Sequence, residues 1–334
     1  MRIFAVHDVS GCGYYRMKMP LSEVGRHDGY EVTFAVQGES NDGYAEPEEF
    51  DAFVGQRAGN YEGLGYWRKL RAGHNRLVYE NDDDVFDLSL ENPAYADFAR
   101  LDVRAALQAY MTYSDLVTVT TEHLADVFGE YSAGRPVVLP NFIRNFVLDL
   151  PREDHRRMRL GYMGASSHGR DVELATEPVR RFMRQNPNWE LNLLGSDYRA
   201  SFRVPRDRMN LVTWTHILDD DEKFYRAIDF DVAIAPLLDT GFNRSKSYIK
   251  ALEYNARGIP VIASDVRPYR EFIQHGVNGF LVKKPHEWGS YLNMLATDDD
   301  LRENMGKQGK EVAAQYTIEK NWKLWADAYE GMWS

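Results

Sequence analysis

Short runs of apolar, mostly β-branched residues recur along the chain, and each is separated from the next by a stretch long enough for a helix. In the first half this pattern predicts strands at Arg2–His7, Tyr30–Val36, Ala52–Val54, Leu77–Glu80, Leu116–Thr120 and Val137–Leu139. In the second half it predicts strands at Arg159–Met163, Glu190–Leu194, Asn210–Trp214, Asp231–Ala235, Pro260–Ala263 and Gly279–Val282. Runs that are apolar on both faces suit strands covered from both sides, and their alternation with helices is the grammar of parallel sheets. The expected class is α/β, with two doubly wound, Rossmann-like parallel-sheet domains facing a cleft.

The strand end Leu139-Pro140-Asn141 is followed by the charged stretch Arg152-Glu153-Asp154-His155-Arg156-Arg157, which reads as a linker. Domains over 1–150 and 151–315 are therefore expected. Beyond Thr317, a good N-cap residue, Ile318, Trp322, Trp325 and Tyr329 share one face of a helix within 316–334. That face has to pack on something.

Composition narrows the function. A length of 334 residues fits two domains of roughly 100–200 residues each. With 44% hydrophobic and 27% charged residues the chain is an ordinary folded one, not a disordered or fibrous one. The formal charge of −11 disfavours sequence-blind binding to nucleic acid or to an anionic membrane, because that binding needs a basic footprint. The single cysteine, Cys12, cannot form an internal disulfide, and no Cys/His cluster has zinc spacing, so a reducing, cytoplasmic setting is expected. No stretch approaches the roughly 18 apolar residues of a membrane span, so no integral membrane segment is expected.

Ligands of parallel sheets bind beyond the carboxyl ends of strands, and three segments there carry chemistry. In the first, Ser10-Gly11-Cys12-Gly13-Tyr14-Tyr15-Arg16, the backbone at Gly11 and Gly13 can approach an anion ahead of a helix. A dinucleotide fingerprint would need glycine where Arg16 stands, and a plain strand-to-helix turn fits the same residues. In the second, Gly164 to Asp171, the hydroxyl of Ser166, the imidazole of His168 and the guanidinium of Arg170 can donate to phosphate oxygens. A polar turn capped by Asp171 is the plainer alternative. In the third, Phe242 to Pro260, Ile249, Leu252 and Ala256 form a buried stripe on a helix stopped by Gly258, and Arg244 and Lys246 stand at its entrance. Lys246, Lys250 and Glu253 then share a face: a diphosphate suits the entrance, and Glu253 suits ribose hydroxyls. A solvated, salt-bridged face is the other reading.

The segment Asn243 to Ser264 resembles the donor-site helix of GT-B glycosyltransferases, in particular the large retaining, nucleotide-sugar-dependent group 1. In that group two glutamates flank seven residues. Glu253 matches the second, Ser245 stands at the first, and Asn-x-x-Lys-Ser-x-x-Lys-x-Leu-Glu-Tyr replaces the usual form. Tyr162 through Asp171 looks like the group's phosphate loop, and Leu139-Pro140-Asn141 is similar to its hinge. Val261 to Asp265 and Glu271 to Val282 resemble the closing strands and glycine turn of its second domain.

The resemblance implies a hexosyltransferase that takes its sugar from a nucleotide diphosphate donor, UDP or GDP sugar, with no metal and no cofactor beyond that donor. It implies donor contacts at Gly164, Ser166, Arg170, His216, Ser247 and Glu253, an acceptor side at Gly11, Gly13 and Tyr14, and a last helix crossing back to the first domain. Lys246, Arg244 and His168 would stabilise charge on the departing phosphate. In a retaining transfer the leaving phosphate takes the acceptor proton; the nearest side-chain candidates for a base are His7 and Asp8 at the first strand end and Asp82-Asp83-Asp84 after the fourth, with Asp83 the one assigned. The run Asp82-Asp83-Asp84 also suits a hard cation or helix capping. Trp214 through Ile217 falls where the group holds the base, although Trp214 suits a core equally. A glycan, a lipid-linked intermediate, a protein or a modified DNA base would each serve as acceptor. Two rivals remain: a non-catalytic nucleotide-sugar-binding or scaffold protein, favoured by Ser245, and an NAD(P)-dependent oxidoreductase using Gly11–Gly13.

Overall fold

The computed structural model describes residues 1–8, 11–37, 47–59, 61–214 and 220–333. Every run predicted as a strand is one, with ends displaced by two residues at most. The first six are β1 (Arg2–His7), β2 (Glu31–Val36), β3 (Ala52–Gln56), β4 (Arg76–Glu80), β5 (Leu116–Val119) and β6 (Val137–Val138). The second six are β7 (Met158–Gly164), β8 (Trp189–Gly195), β9 (Met209–Val212), β10 (Val232–Ala235), β11 (Val261–Ser264) and β12 (Gly279–Val282). They pair in parallel throughout, as one sheet in the order β2-β1-β3-β4-β5-β6 and another in the order β12-β11-β10-β7-β8-β9.

Two compact units result. The first comprises Met1–Phe142, Ser245–Ser247 and Ile318–Ser334, and the second comprises Ile143–Arg244 and Tyr248–Thr317. In the first, Phe4, Phe53, Trp67, Tyr79, Tyr110 and Phe128 fill the core. Ile318, Trp325 and Tyr329 are buried in that same unit, and Trp322 stacks on His27 with ring centroids 3.6 Å apart. The amphipathic segment is two short helices, Ile318–Asn321 and Lys323–Glu330.

In the second unit the side chains of successive residues enter opposite layers. Leu160 and Tyr162 of β7, Val232 and Ile234 of β10 and Ile262 of β11 join one cluster, whereas Met163, Ala233, Ala235, Val261 and Ala263 join the other. Gly161 marks the tightest point: a Cβ there would lie 2.0 Å from the Phe230 ring, so strand and ring approach only because the side chain is absent.

Strand order reverses direction once in each sheet, between β1 and β3 and between β7 and β10. At such a switch point the connections leave on opposite faces and open a crevice at the carboxyl edge. The segment Gly11–Arg16 follows β1 at the first crevice, and Gly164–Asp171 closes β7 at the second.

Candidate functional site

In the second unit β7 ends at Gly164, and the turn Ser166–His168 delivers the chain into the helix Gly169–Gln185. The first N–H groups of that helix have no carbonyl partners of their own and carry its positive dipole end. Gly164 is buried, whereas Ser166 and Arg170 are exposed at the turn. Asp171 is buried and joins the two sides of the crevice. Its Oδ2 lies 2.8 Å from His168 Nδ1, and its Oδ1 accepts from Leu238 N at 2.8 Å and from Asn243 Nδ2 at 3.0 Å. Burial pushes the Asp171 carboxyl up, but the hydrogen bonds from His168 and Leu238 outweigh it and hold the group below the ordinary aspartate value.

This sets a pH dependence. A depressed folded-state pKa contributes stability that is present above the ordinary aspartate value near 4 and is lost as pH falls through the lower folded value. The second unit should weaken below about pH 4. Asp171→Asn should cost about 1–2 kcal/mol at pH 7 and progressively less as pH falls below about 4, as read from urea midpoints.

Downstream the structure corrects one expectation. The helix does not begin near Lys246; it spans Ile249–Ala256, after Tyr248. Ser245–Ser247 is not helical and belongs to the first unit, where Thr121 Oγ1 donates to Ser245 O at 3.0 Å and Asn141 Nδ2 donates to Ser247 Oγ at 2.9 Å. Lys246 therefore leaves the face shared by Lys250 and Glu253, and its Nζ lies 3.2 Å from Asp83 Oδ1. Lys250 Nζ stands 5.1 Å from the Tyr162 ring centroid, and Glu253 is buried. Met163 N donates to Tyr254 Oη at 2.9 Å, which pins this helix to the end of β7. Arg244 closes the short helix Gly241–Arg244 with its exposed guanidinium 2.7 Å from Asp239. Trp214 packs beside Phe224 at the rim of the core. His216 lies outside the described residues.

In the first unit the crevice between β1 and β3 is lined differently. A Cβ on Gly13 would sit 1.8 Å from Asp8 O, so only glycine lets the turn Gly11–Gly13 fold back on the end of β1. A π-helical turn, Tyr14–Lys18, follows and directs Arg16 inward. Its guanidinium donates to Glu80 through Nε at 2.7 Å and Nη2 at 3.1 Å, and through Nη1 to Leu139 O and Asn141 Oδ1. Both side chains are fully buried. Arg16 thus fills the space beneath the helix where a dinucleotide fingerprint has its third glycine.

Arg57, in the left-handed region at φ 49°, follows β3 and donates to Asp82 at 2.7 Å and to Asp83 at 2.9 Å. Burial, helped by Asp83, raises the Asp82 carboxyl above its ordinary value against the pull of Arg57. Asp84 Oδ1 accepts from Phe86 N at 3.1 Å in a local turn. A guanidinium and an ammonium therefore stand where the aspartate run would hold a cation. In the second unit Glu153, His155 and Asp229 come close enough to share an ion, but Arg152 and Arg159 already hold Asp229, at 3.4 and 3.6 Å. Among the described residues no helix is long and apolar enough to cross a membrane.

Residues 157–298, which contain the β7–β10 crevice, match the family described as glycosyl transferases group 1. This segment resembles a group 1 glycosyltransferase domain. A D-inositol 3-phosphate glycosyltransferase of Corynebacterium kroppenstedtii is 30% identical over 263 residues, which are 78% of this chain and 51% of that protein. The chain spans about half or less of the curated relatives it matches, 29% in the case of the Corynebacterium urealyticum protein of the same name. Among solved structures, a sucrose-phosphate synthase from Thermosynechococcus elongatus aligns over 100% of this chain and 99% of its own, with TM-score 0.68 and 16% identity. The Anabaena protein Alr3699/HepE, solved with UDP and glucose, aligns over 99% of both chains with TM-score 0.68 and 12% identity. The two parallel six-stranded sheets are those of the GT-B fold.

Proposed function

We propose that this chain is a glycosyltransferase that moves a sugar from a nucleoside diphosphate donor to a hydroxyl-bearing acceptor. The observation that carries the reading is the β7–β10 crevice, where a helix N-terminus opens beside Gly164, Ser166 and Arg170 within the group 1 segment. Backbone N–H groups and the helix dipole there suit phosphate oxygens. Glu253, buried on the helix pinned to β7, is assigned to the ribose hydroxyls, and His168, Arg244, Lys246 and Ser247 to the diphosphate. Developing charge on the leaving phosphate is stabilised by these cations and N–H groups, without a metal and with retention at the sugar. Gly11, Gly13 and Tyr14 take the acceptor side, and Asp83 is the alternative base. A dinucleotide reading is disfavoured by Arg16, whose side chain occupies the space that the fingerprint leaves empty.

UDP-, GDP- and TDP-sugars should each be tried against NADH and NADPH by thermal shift, followed by release of the nucleoside diphosphate. Stabilisation by at least one nucleotide sugar, with diphosphate release, is the expected result; stabilisation by a nicotinamide nucleotide alone sinks the proposal. Glu253→Gln should weaken ribose-bearing donors about tenfold, the worth of a hydrogen bond to a charged group, and leave deoxyribose analogues unchanged.

A further inference from the structure

The buried Arg16–Glu80 pair also sets the direction of a hydrogen-bond chain. Nε and Nη2 of Arg16 both donate to Glu80, which fixes the plane of the guanidinium and turns Nη1 towards Leu139 O and Asn141 Oδ1. The Asn141 atom 3.0 Å from Nη1 has to be the amide oxygen, since a guanidinium offers N–H bonds only. The amide nitrogen is thereby turned the other way, where Nδ2 donates to Ser247 Oγ at 2.9 Å. Ser247 meets Asn141 as an acceptor, so its own proton is directed away from Asn141, in a donor role. The backbone beside this hydroxyl is held as well. Thr121 Oγ1 accepts from Leu124 N at 3.2 Å at the start of the helix Glu122–Phe128, and its proton goes to Ser245 O, at 3.0 Å. Ser245 is fully buried, whereas Lys246 and Ser247 are partly exposed. One tripeptide of the first unit thus presents an ammonium and an oriented hydroxyl donor side by side in the chain.

We infer that Asn141 is a positioning residue: held by the Arg16–Glu80 pair, its amide keeps the Ser247 hydroxyl turned outward to donate to a phosphate oxygen of the nucleoside diphosphate. The assignment deepens the glycosyl-transfer reading and rests on it for the identity of the anion. An anion suits the tripeptide because the ammonium of Lys246 and the hydroxyl of Ser247 both donate, and phosphate oxygens only accept. Asn141 is an amide and not a carboxylate for the same reason. A carboxylate has no N–H bond for Ser247 and would take the serine proton for itself. Arg16 and Glu80, buried and away from any ligand, act on the phosphate only through this amide.

The test is a double-mutant cycle on binding. UDP, GDP and TDP are each titrated into the wild-type protein by calorimetry beside their nucleosides, and the variants are read with the diphosphate that binds. Ser247→Ala should weaken that diphosphate about tenfold, the worth of one hydrogen bond to a charged group, and leave the nucleoside unchanged. Ser247→Thr, which keeps the hydroxyl, should stay within about threefold of wild type. Asn141→Asp should cost about tenfold alone but about threefold or less in the Ser247→Ala background, because both changes remove the same donor. An added charge acting at a distance would cost the same in both backgrounds; that result, or an unchanged diphosphate affinity in Ser247→Ala, would overturn the assignment. Circular dichroism checks each fold, and if Asn141→Asp does not fold, Asn141→Ala takes its place in the cycle with the same lack of additivity expected. Binding of none of the three diphosphates by the wild type would remove the transferase reading and this assignment with it, whereas diphosphate binding with additive losses removes the assignment alone.

Discussion

An Arg16→Met variant should lose about 3–5 kcal/mol of the first unit's stability at pH 7, because removing one partner of a buried ion pair strands the other. Among the described residues Glu80 would keep only the Thr118 hydroxyl as a donor, and Leu139 O and Asn141 Oδ1 would each lose the Arg16 guanidinium. Burial pushes the Glu80 carboxyl above its ordinary value even with the guanidinium in place. Without Arg16 it rises further, and the folded state then holds Glu80 as the neutral acid. A raised folded-state pKa gives stability that is full below the unfolded value and is lost as pH rises through the folded one. The deficit should accordingly be largest at neutral pH and shrink towards pH 4, which a merely steric defect would not do. Urea unfolding of Arg16→Met at several pH values reads this directly, and Arg16→Met/Glu80→Gln should recover part of the loss. Wild-type stability of the single variant at pH 7 would mean that the pair does not hold the unit together.

That pair also shows where the sequence runs out. Strands buried on both faces announce themselves as apolar runs, and Val232–Ala235 and Val261–Ser264 were legible because every residue in them is buried. The missing glycine at position 16 was equally visible. Its meaning was not, because the guanidinium reaches Glu80, 64 residues away, and no local period records such a contact. The signal that was present is Glu80 itself, an acid closing the apolar run Leu77–Tyr79. Lys246 fails in the opposite direction. Spacing put it on one face with Lys250 and Glu253, but its neighbours' polar atoms are held by Thr121 and Asn141, 124 and 106 residues away. Tertiary bonds there override helical periodicity. Asp171 reads as a helix cap from the sequence, yet its partners Leu238 and Asn243 make it a tie across the crevice.

Replacing Lys246 with alanine should lower the rate of sugar transfer about 10²–10³-fold, the usual cost of removing one preorganised donor from developing negative charge. The side chain is partly exposed and its partner Asp83 is shared with Arg57, so its pairing should contribute no more than about 1 kcal/mol to stability. Catalytic loss without thermal loss is therefore the expected signature. The shared aspartate matters for a second reason. In the free protein Asp83 orients the ammonium, and an incoming diphosphate offers a stronger anion for the same cation. Lys246→Ala should then weaken UDP far more than uridine, since only UDP carries the diphosphate. Equal weakening of both would remove Lys246 from the phosphate site, and an unchanged rate would return the lysine to the role of an ordinary partner for Asp83.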